Sequence, residues 1–132
     1  MNYFLDTNIC IFFLKGTYTA LHDKILDLTP GKISIPSMVA AELVYGARKS
    51  EKSIQNMEKI ERFLKPFQIV PFDSDAAYHY GEIRAYLEKK GNIIGFNDLI
   101  IAASVLAHNG ILITQNTGEF KRIKNLVLED WT

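Results

Sequence analysis

A run of consecutive apolar residues, Tyr3-Phe4-Leu5, stops abruptly at Asp6-Thr7-Asn8, and few folds accept such a pattern. Apolar side chains without in-out alternation mark a strand covered on both faces, as in the middle of a parallel sheet. Further strand-like segments follow at Ile33-Ser34-Ile35, stopped by Pro36, at Gln68 to Phe72, at Ile111 to Thr114 and, shorter, at Leu126-Val127-Leu128. Helical patterns lie between them. Ile9 to Leu14 reads as a first helix with Gly16 near its end. Ala20 to Leu28 reads as a second, broken by Thr29-Pro30-Gly31. Ser37 is placed to cap a helix running to Lys49, and Ile54, Met57, Ile60 and Leu64 stripe another that closes before Pro66. Asp73 or Ser74 caps the next, striped by Ala76, Tyr80, Ile83 and Leu87 and ended by Gly91. Asn97 or Asp98 opens an almost wholly apolar helix from Leu99 to Ala107, ended by Asn109-Gly110. Strands alternating with helices predict an α/β domain with a mostly parallel sheet, right-handed crossovers and helices on both faces.

The 132 residues suit one domain spanning 1–132, and 48% hydrophobic content fits a globular core. No apolar run approaches the roughly 18 residues that span a bilayer. The start also lacks a basic region and cleavage site, so a cytoplasmic protein without membrane contact is expected. The lone Cys10 lies in an apolar segment and reads as a small core residue. Fifteen basic and fifteen acidic side chains cancel, so any nucleic acid binding must rest on local basic patches or on metal. No phosphate-binding glycine motif, zinc-type cysteine pair, HExxH helix or nucleophile elbow is present. His22, His79 and His108 are scattered and read as surface or helix-end residues, His108 suiting the negative end of its helix.

The chemistry is left to acids. Asp6 falls where β strands of an open α/β sheet meet their ligands, although Asp6, Thr7 and Asn8 are also good helix caps. Glu42 has Met38, Val39, Tyr45 and Gly46 as its helical neighbours, so its carboxylate emerges from an apolar face with no cation within a turn. Asp98 reads either as a first-turn acid favoured by the helix dipole or as a ligand. Asn116-Thr117-Gly118-Glu119 has the spacing of a capping box heading a short helix through Arg122. All of these are expected near one edge of the sheet. Clustered carboxylates call for a divalent cation, and an oxygen-only set suits Mg²⁺ or Mn²⁺ and in-line displacement at phosphorus.

Phe4-Leu5-Asp6-Thr7-Asn8, the segment Ser37 to Gly46 centred on Ala41-Glu42-Leu43, Gly95-Phe96-Asn97-Asp98-Leu99-Ile100-Ile101-Ala102-Ala103 and Ile113-Thr114-Gln115-Asn116-Thr117-Gly118-Glu119-Phe120 together resemble, in order, the motifs of the PIN domain. The closing Leu128-Glu129-Asp130-Trp131 is similar to the end of VapC-type toxins of bacterial toxin–antitoxin pairs. The resemblance implies a three-layer α/β/α sandwich with about five strands, a Mg²⁺- or Mn²⁺-dependent endoribonuclease, and a homodimer neutralised by a VapB-type antitoxin. It also implies RNA as substrate, a transfer RNA or a ribosomal RNA loop, and Asp6, Glu42 and Asp98 as the metal-binding acids. At the fourth position many PIN domains carry aspartate. Here Asn116 is neutral, so it is expected to orient water, with Glu119 as an outer or second-metal ligand.

Two other classes share part of the pattern. A receiver- or phosphatase-type phosphoryl-transfer domain also ends strand one on aspartate, but the expected second acid beside Asp6 and a lysine after Thr114 are missing. A non-catalytic PIN-like binding module would not need all three principal acids. Lys15, Arg48, Lys49, Lys121, Arg122 and Lys124 are candidate RNA contacts. Phe12, Phe13, Met57, Phe63 and Phe67 exceed what the outer helices of a small sandwich need. Some of them are expected to form an antitoxin groove and a dimer contact.

Overall fold

In the computed structural model, which describes Met1–Thr132, strands β1 (Tyr3–Leu5), β2 (Ile33–Pro36), β3 (Gln68–Val70), β4 (Ile111–Ile113) and β5 (Val127–Glu129) form one sheet. Their order is β3-β2-β1-β4-β5, and every neighbouring pair is parallel. The apolar run at the start of the chain is thereby explained: β1 is the middle strand, and Phe4 and Leu5 are fully buried. Tyr3 pairs with Ile33 on one side and Ile111 on the other.

Helices α1 (Thr7–Lys15) and α2 (Thr19–Asp27) join β1 to β2, and α3 (Ser37–Lys49) and α4 (Ser53–Leu64) join β2 to β3. The connection from β3 to β4 is α5 (Ser74–Lys90) and α6 (Phe96–Ala107), and the short α7 (Thr117–Phe120) precedes β5. The chain moves outward from β1 to β3, then crosses back to β4 and β5. Right-handed crossovers travelling in opposite directions place their helices on opposite faces. The reversal falls between β1 and β4, and a crevice opens at the carboxyl ends of strands at such a point. Receiver-type sheets have the order 2-1-3-4-5. The order seen here differs, which sets that alternative aside.

The core unites residues from both layers, and α6 is its most deeply embedded helix, with Leu99, Ile101, Ala102, Ala103, Ser104 and Val105 buried. Gly110 follows it at a point of close approach. A Cβ there would overlap the Phe4 ring, so only glycine lets the chain enter β4 beside β1.

Several boundaries move for local reasons. α1 begins at Thr7, two residues earlier than its apolar pattern suggests, because Asp6 caps it by accepting from the Ile9 N–H at 2.9 Å. Ser37 does not cap α3; Pro36 occupies the cap position without a side-chain bond, and its fixed φ of −58° suits that position. Neither Asn97 nor Asp98 opens α6, since the cap is Gly95, and Asp98 is the third helical residue. α7 ends at Phe120, before Arg122. Cys10 is fully buried in α1, as its apolar neighbours predict, and burial pushes its thiol well above the ordinary range.

Candidate active site

The backbone brings the predicted acids to one place. Asp6 directly follows β1, and Thr114 directly follows β4, its neighbour in the sheet. The buried Thr114 hydroxyl donates to Asp6 Oδ2 while the Ile9 N–H donates to Oδ1, so both oxygens are oriented. Asp6 therefore caps α1 through one oxygen and is held at the sheet edge through the other. Burial pushes its carboxyl above 3.8, the Thr114 and Ile9 hydrogen bonds oppose that shift, and the Glu42 charge adds to it.

Glu42 arrives from α3 in the adjacent crossover. Its Oε1 accepts from the Thr7 hydroxyl at 2.7 Å, and its Oε2 receives a long contact from Asn97 Nδ2 at 3.5 Å. The carboxylate on the apolar face thus finds polar neighbours from α1 and α6 and no cation. Asp98 stands in the first turn of α6, half-buried and without a hydrogen-bond partner among the side-chain bonds of the molecule. Burial pushes its carboxyl up to about 6, helped by the charges of Glu119, Asp6 and Glu42. A helix N-terminus favours the charged form. Burial and three neighbouring acids outweigh it here.

The capping box expected at Asn116 does not form. Asn116 occupies the cap position, but its side chain makes no cap bond; Nδ2 instead donates to Glu119 Oε2 at 2.9 Å. The Asn116 N–H donates to the Thr114 hydroxyl at 3.0 Å, which ties this loop to Asp6. Asp6, Glu42, Asp98, Asn116 and Glu119 are consequently linked through Thr114, Thr7 and Asn97 or through their mutual charge.

The two threonines are the residues that sequence reasoning passed over. Their signal was present: Thr7 follows Asp6 directly, and Thr114 is a hydroxyl closing an otherwise apolar strand. The histidines stay apart from the acids. His22 stacks on Phe13 with centroids 4.7 Å apart, and His108 caps α6 with Nδ1 donating to the Ser104 carbonyl at 2.8 Å.

The donor set fits a hard divalent cation in chemistry, being carboxylate and amide oxygens without nitrogen or sulfur ligands. None of these acids has a cationic partner; the single ion pair of the molecule, Arg84 with Glu88, lies on α5. In this arrangement no three acids, histidines or cysteines close on a single point.

Comparison with known proteins places the chain in a family. The PIN domain family model matches residues 3–126. Ribonuclease VapC2 of Rickettsia felis is 45% identical over 132 residues, covering 99% of this chain and 98% of that protein. The tRNA(fMet)-specific endonuclease VapC of Shigella flexneri is 38% identical over 132 residues, covering 100% and 99%. The crystal structure of VapBC2 from Rickettsia felis bound to a DNA fragment from their promoter contains a chain that superimposes with a TM-score of 0.93 at 43% identity, each chain covered in full. With a parallel sheet whose central strand leads directly into Asp6, acids gathered at that edge and relatives alike from end to end, this chain belongs to the PIN domain family.

Proposed function

We propose that the protein is a divalent-metal-dependent endoribonuclease toxin of the VapC type, hydrolysing RNA phosphodiester bonds at the Asp6, Glu42 and Asp98 edge and held inactive by a VapB-type antitoxin. The observation that carries the proposal is the gathering of unpaired acids at the β1/β4 edge, with Asp98 pushed up to about 6 by burial and, after it, by the charges of Glu119, Asp6 and Glu42. Relatives named ribonuclease and tRNA(fMet)-specific endonuclease supply the substrate class.

Asp6, Glu42 and Asp98 would hold Mg²⁺ or Mn²⁺. When bound, the cation supplies Lewis acidity toward phosphate oxygens and toward water. The chain's own part is orientation and charge. Thr114 and the Ile9 N–H fix the Asp6 carboxylate in a buried setting, so it needs little rearrangement. Thr7 holds Glu42, and the partner-free Asp98 offers both oxygens. Asn116 keeps its amide donor on Glu119, leaving its carbonyl oxygen free to accept from water. Lys15, which shares a groove with Glu42, and the exposed Lys121, Arg122 and Lys124 beyond Glu119 would attract the RNA backbone from both sides of the site. Arg48 and Lys49 lie farther along α3.

The antitoxin is assigned to the groove of about 560 Å³ between α1, α2 and α4, where Phe13, Leu26, Phe63 and Phe67 meet Lys59 and Arg62. An apolar groove with a basic rim suits an amphipathic segment. Of the aromatics singled out in the sequence, Phe12 packs instead on Tyr18, and Met57 is buried in the core. Homodimerisation is part of the same proposal and is checked by sedimentation. The decisive experiment is cleavage of RNA by purified chain freed of its partner. Mg²⁺ or Mn²⁺ should support it, and EDTA or Asp6→Asn should abolish it. Cleavage that persists unchanged in EDTA, with contaminating nucleases excluded, sinks the metal mechanism.

A further inference from the structure

One cluster outside the acids remains unused by that reading. Phe96, the first residue of α6, is 58% exposed. The Arg84 guanidinium lies 4.8 Å from its ring centroid, held there by Glu88 at 3.2 Å and by donation to the Tyr80 hydroxyl at 3.2 Å. Tyr80 meets Phe72 edge-on, with centroids 6.1 Å apart, and Phe72 is itself 39% exposed. Phe72 lies just past the carboxyl end of β3, on the same edge of the sheet as Asp6. A strip of partly exposed aromatics pinned by one arginine therefore runs from the carboxyl end of β3 to the first residue of α6.

Its link to the site is covalent and short. Phe96 precedes Asn97, whose amide reaches Glu42, and stands two residues before Asp98. In the first turn of a helix those two Cα atoms are roughly 5 Å apart, with side chains on roughly opposite sides. Asp98 is close enough to Glu119, Asp6 and Glu42 to feel their charges, while the Phe96 ring lies against Arg84 of α5. With Arg84 over one face and the residue 58% exposed, the opposite face is left to solvent.

Resting on the ribonuclease reading above, we infer that Phe96, backed by Arg84, is a stacking platform for an unpaired nucleobase of the RNA, next to the nucleotide whose phosphate lies at Asp6, Glu42 and Asp98. Aromatic faces and guanidinium planes bind splayed bases of single-stranded RNA, and every base has a face to offer. The cation also suits a phosphate-bearing ligand, which the neighbouring acids alone repel. A double helix keeps its bases stacked internally and cannot use such a ring. The strip thus selects a loop or single strand over a duplex. Phe96 is a positioning residue here and takes no part in bond breaking.

The test uses an RNA oligonucleotide carrying 2-aminopurine, whose fluorescence falls on stacking, titrated with the full chain in EDTA and then cleaved in Mg²⁺. Phe96→Ala should lose the quenching and weaken binding by roughly 5- to 100-fold, raising KM far more than it lowers kcat. Phe96→Trp should retain both, whereas Phe96→Leu, which keeps apolar bulk without a π face, should behave as alanine does. The leucine and tryptophan variants decide the matter even if the alanine variant folds poorly. If wild type binds and cleaves RNA but the leucine variant matches it, the platform is overturned while the ribonuclease reading stands. If wild type neither binds nor cleaves RNA, both fall. If the leucine variant instead turns a dimer into a monomer in sedimentation, the strip is covered by a second copy of the chain and the inference fails.

Discussion

Asp98→Asn separates the electrostatic role of this residue from its place at a helix start. Asp98 makes no cap bond, so the amide forfeits only the carboxylate's attraction to the α6 N-terminus, about 0.3–1 kcal/mol. Against this stands the environment that lifts its carboxyl from 3.8 to about 6. At about 1.4 kcal/mol per pH unit that rise corresponds to about 3 kcal/mol of destabilisation by the ionised form. Asp98 is only half-buried, and solvent screening reduces the figure to about 1–2 kcal/mol. In EDTA at pH 7.5 the variant should therefore be more stable than wild type by about 1 kcal/mol, or about 3–5 °C in Tm for a domain of this size. The sign follows from the folded value lying above the unfolded one: the native state holds the proton more tightly, so ionisation costs wild type stability as pH rises from 3.8 to about 6. Below that window the carboxyl is protonated in both states, and the two proteins should melt alike. Mg²⁺ should reverse the order. At about a hundredfold excess over Kd a ligand bound only by the native state adds about 2.7 kcal/mol, and the variant should gain little of it while losing RNA cleavage. Calorimetry in EDTA and Mg²⁺ and a cleavage assay on the same preparation provide the check. A variant that melts at or below wild type in EDTA and still cleaves RNA would refute the reasoning.

Thr114→Val should remove the donor that orients Asp6, lowering stability by about 1–3 kcal/mol because a buried carboxylate oxygen loses its partner; chemical denaturation and cleavage measured together should both fall. Thr7→Val should leave stability within about 1 kcal/mol of wild type but reduce cleavage by freeing Glu42, and Thr7→Ser should restore it through the same hydroxyl. Gly110→Ala should push a Cβ into the Phe4 ring and cost about 1–3 kcal/mol, with cleavage retained well below the melting temperature. Mg²⁺ affinity by calorimetric titration should weaken as pH falls below about 6, because the Asp98 proton must leave first. Glu119→Gln should move that midpoint downward, since Glu119 is the foremost charge raising it.

Much of this molecule was written in local pattern. The apolar run Tyr3-Phe4-Leu5 already implied a strand covered on both faces, and the apolar stretch Leu99 to Ala107 implied an embedded helix; both depend only on side chains meeting water or not. Order along the chain was enough for an α/β sheet, and the four motifs pointed to the acids. What local pattern could not supply was anything decided between segments distant in sequence. Strand order rests on which crossovers run left and right of β1, and no single segment carries that information. The sequence could offer Asp6 as a cap, but that its second oxygen is held by Thr114, 108 positions away, and so oriented at the sheet edge, appears only in the fold. Asn97 and Asp98 looked like a cap because both are good caps, yet Gly95 takes that place, and the two side chains are left to face Glu42 and the other acids. Helix and strand propensities act over a turn or two, whereas the charge on Asp98 is set by burial and by Glu119, Asp6 and Glu42 arriving from three other parts of the chain. Only the folded sheet edge brings them within range of one another.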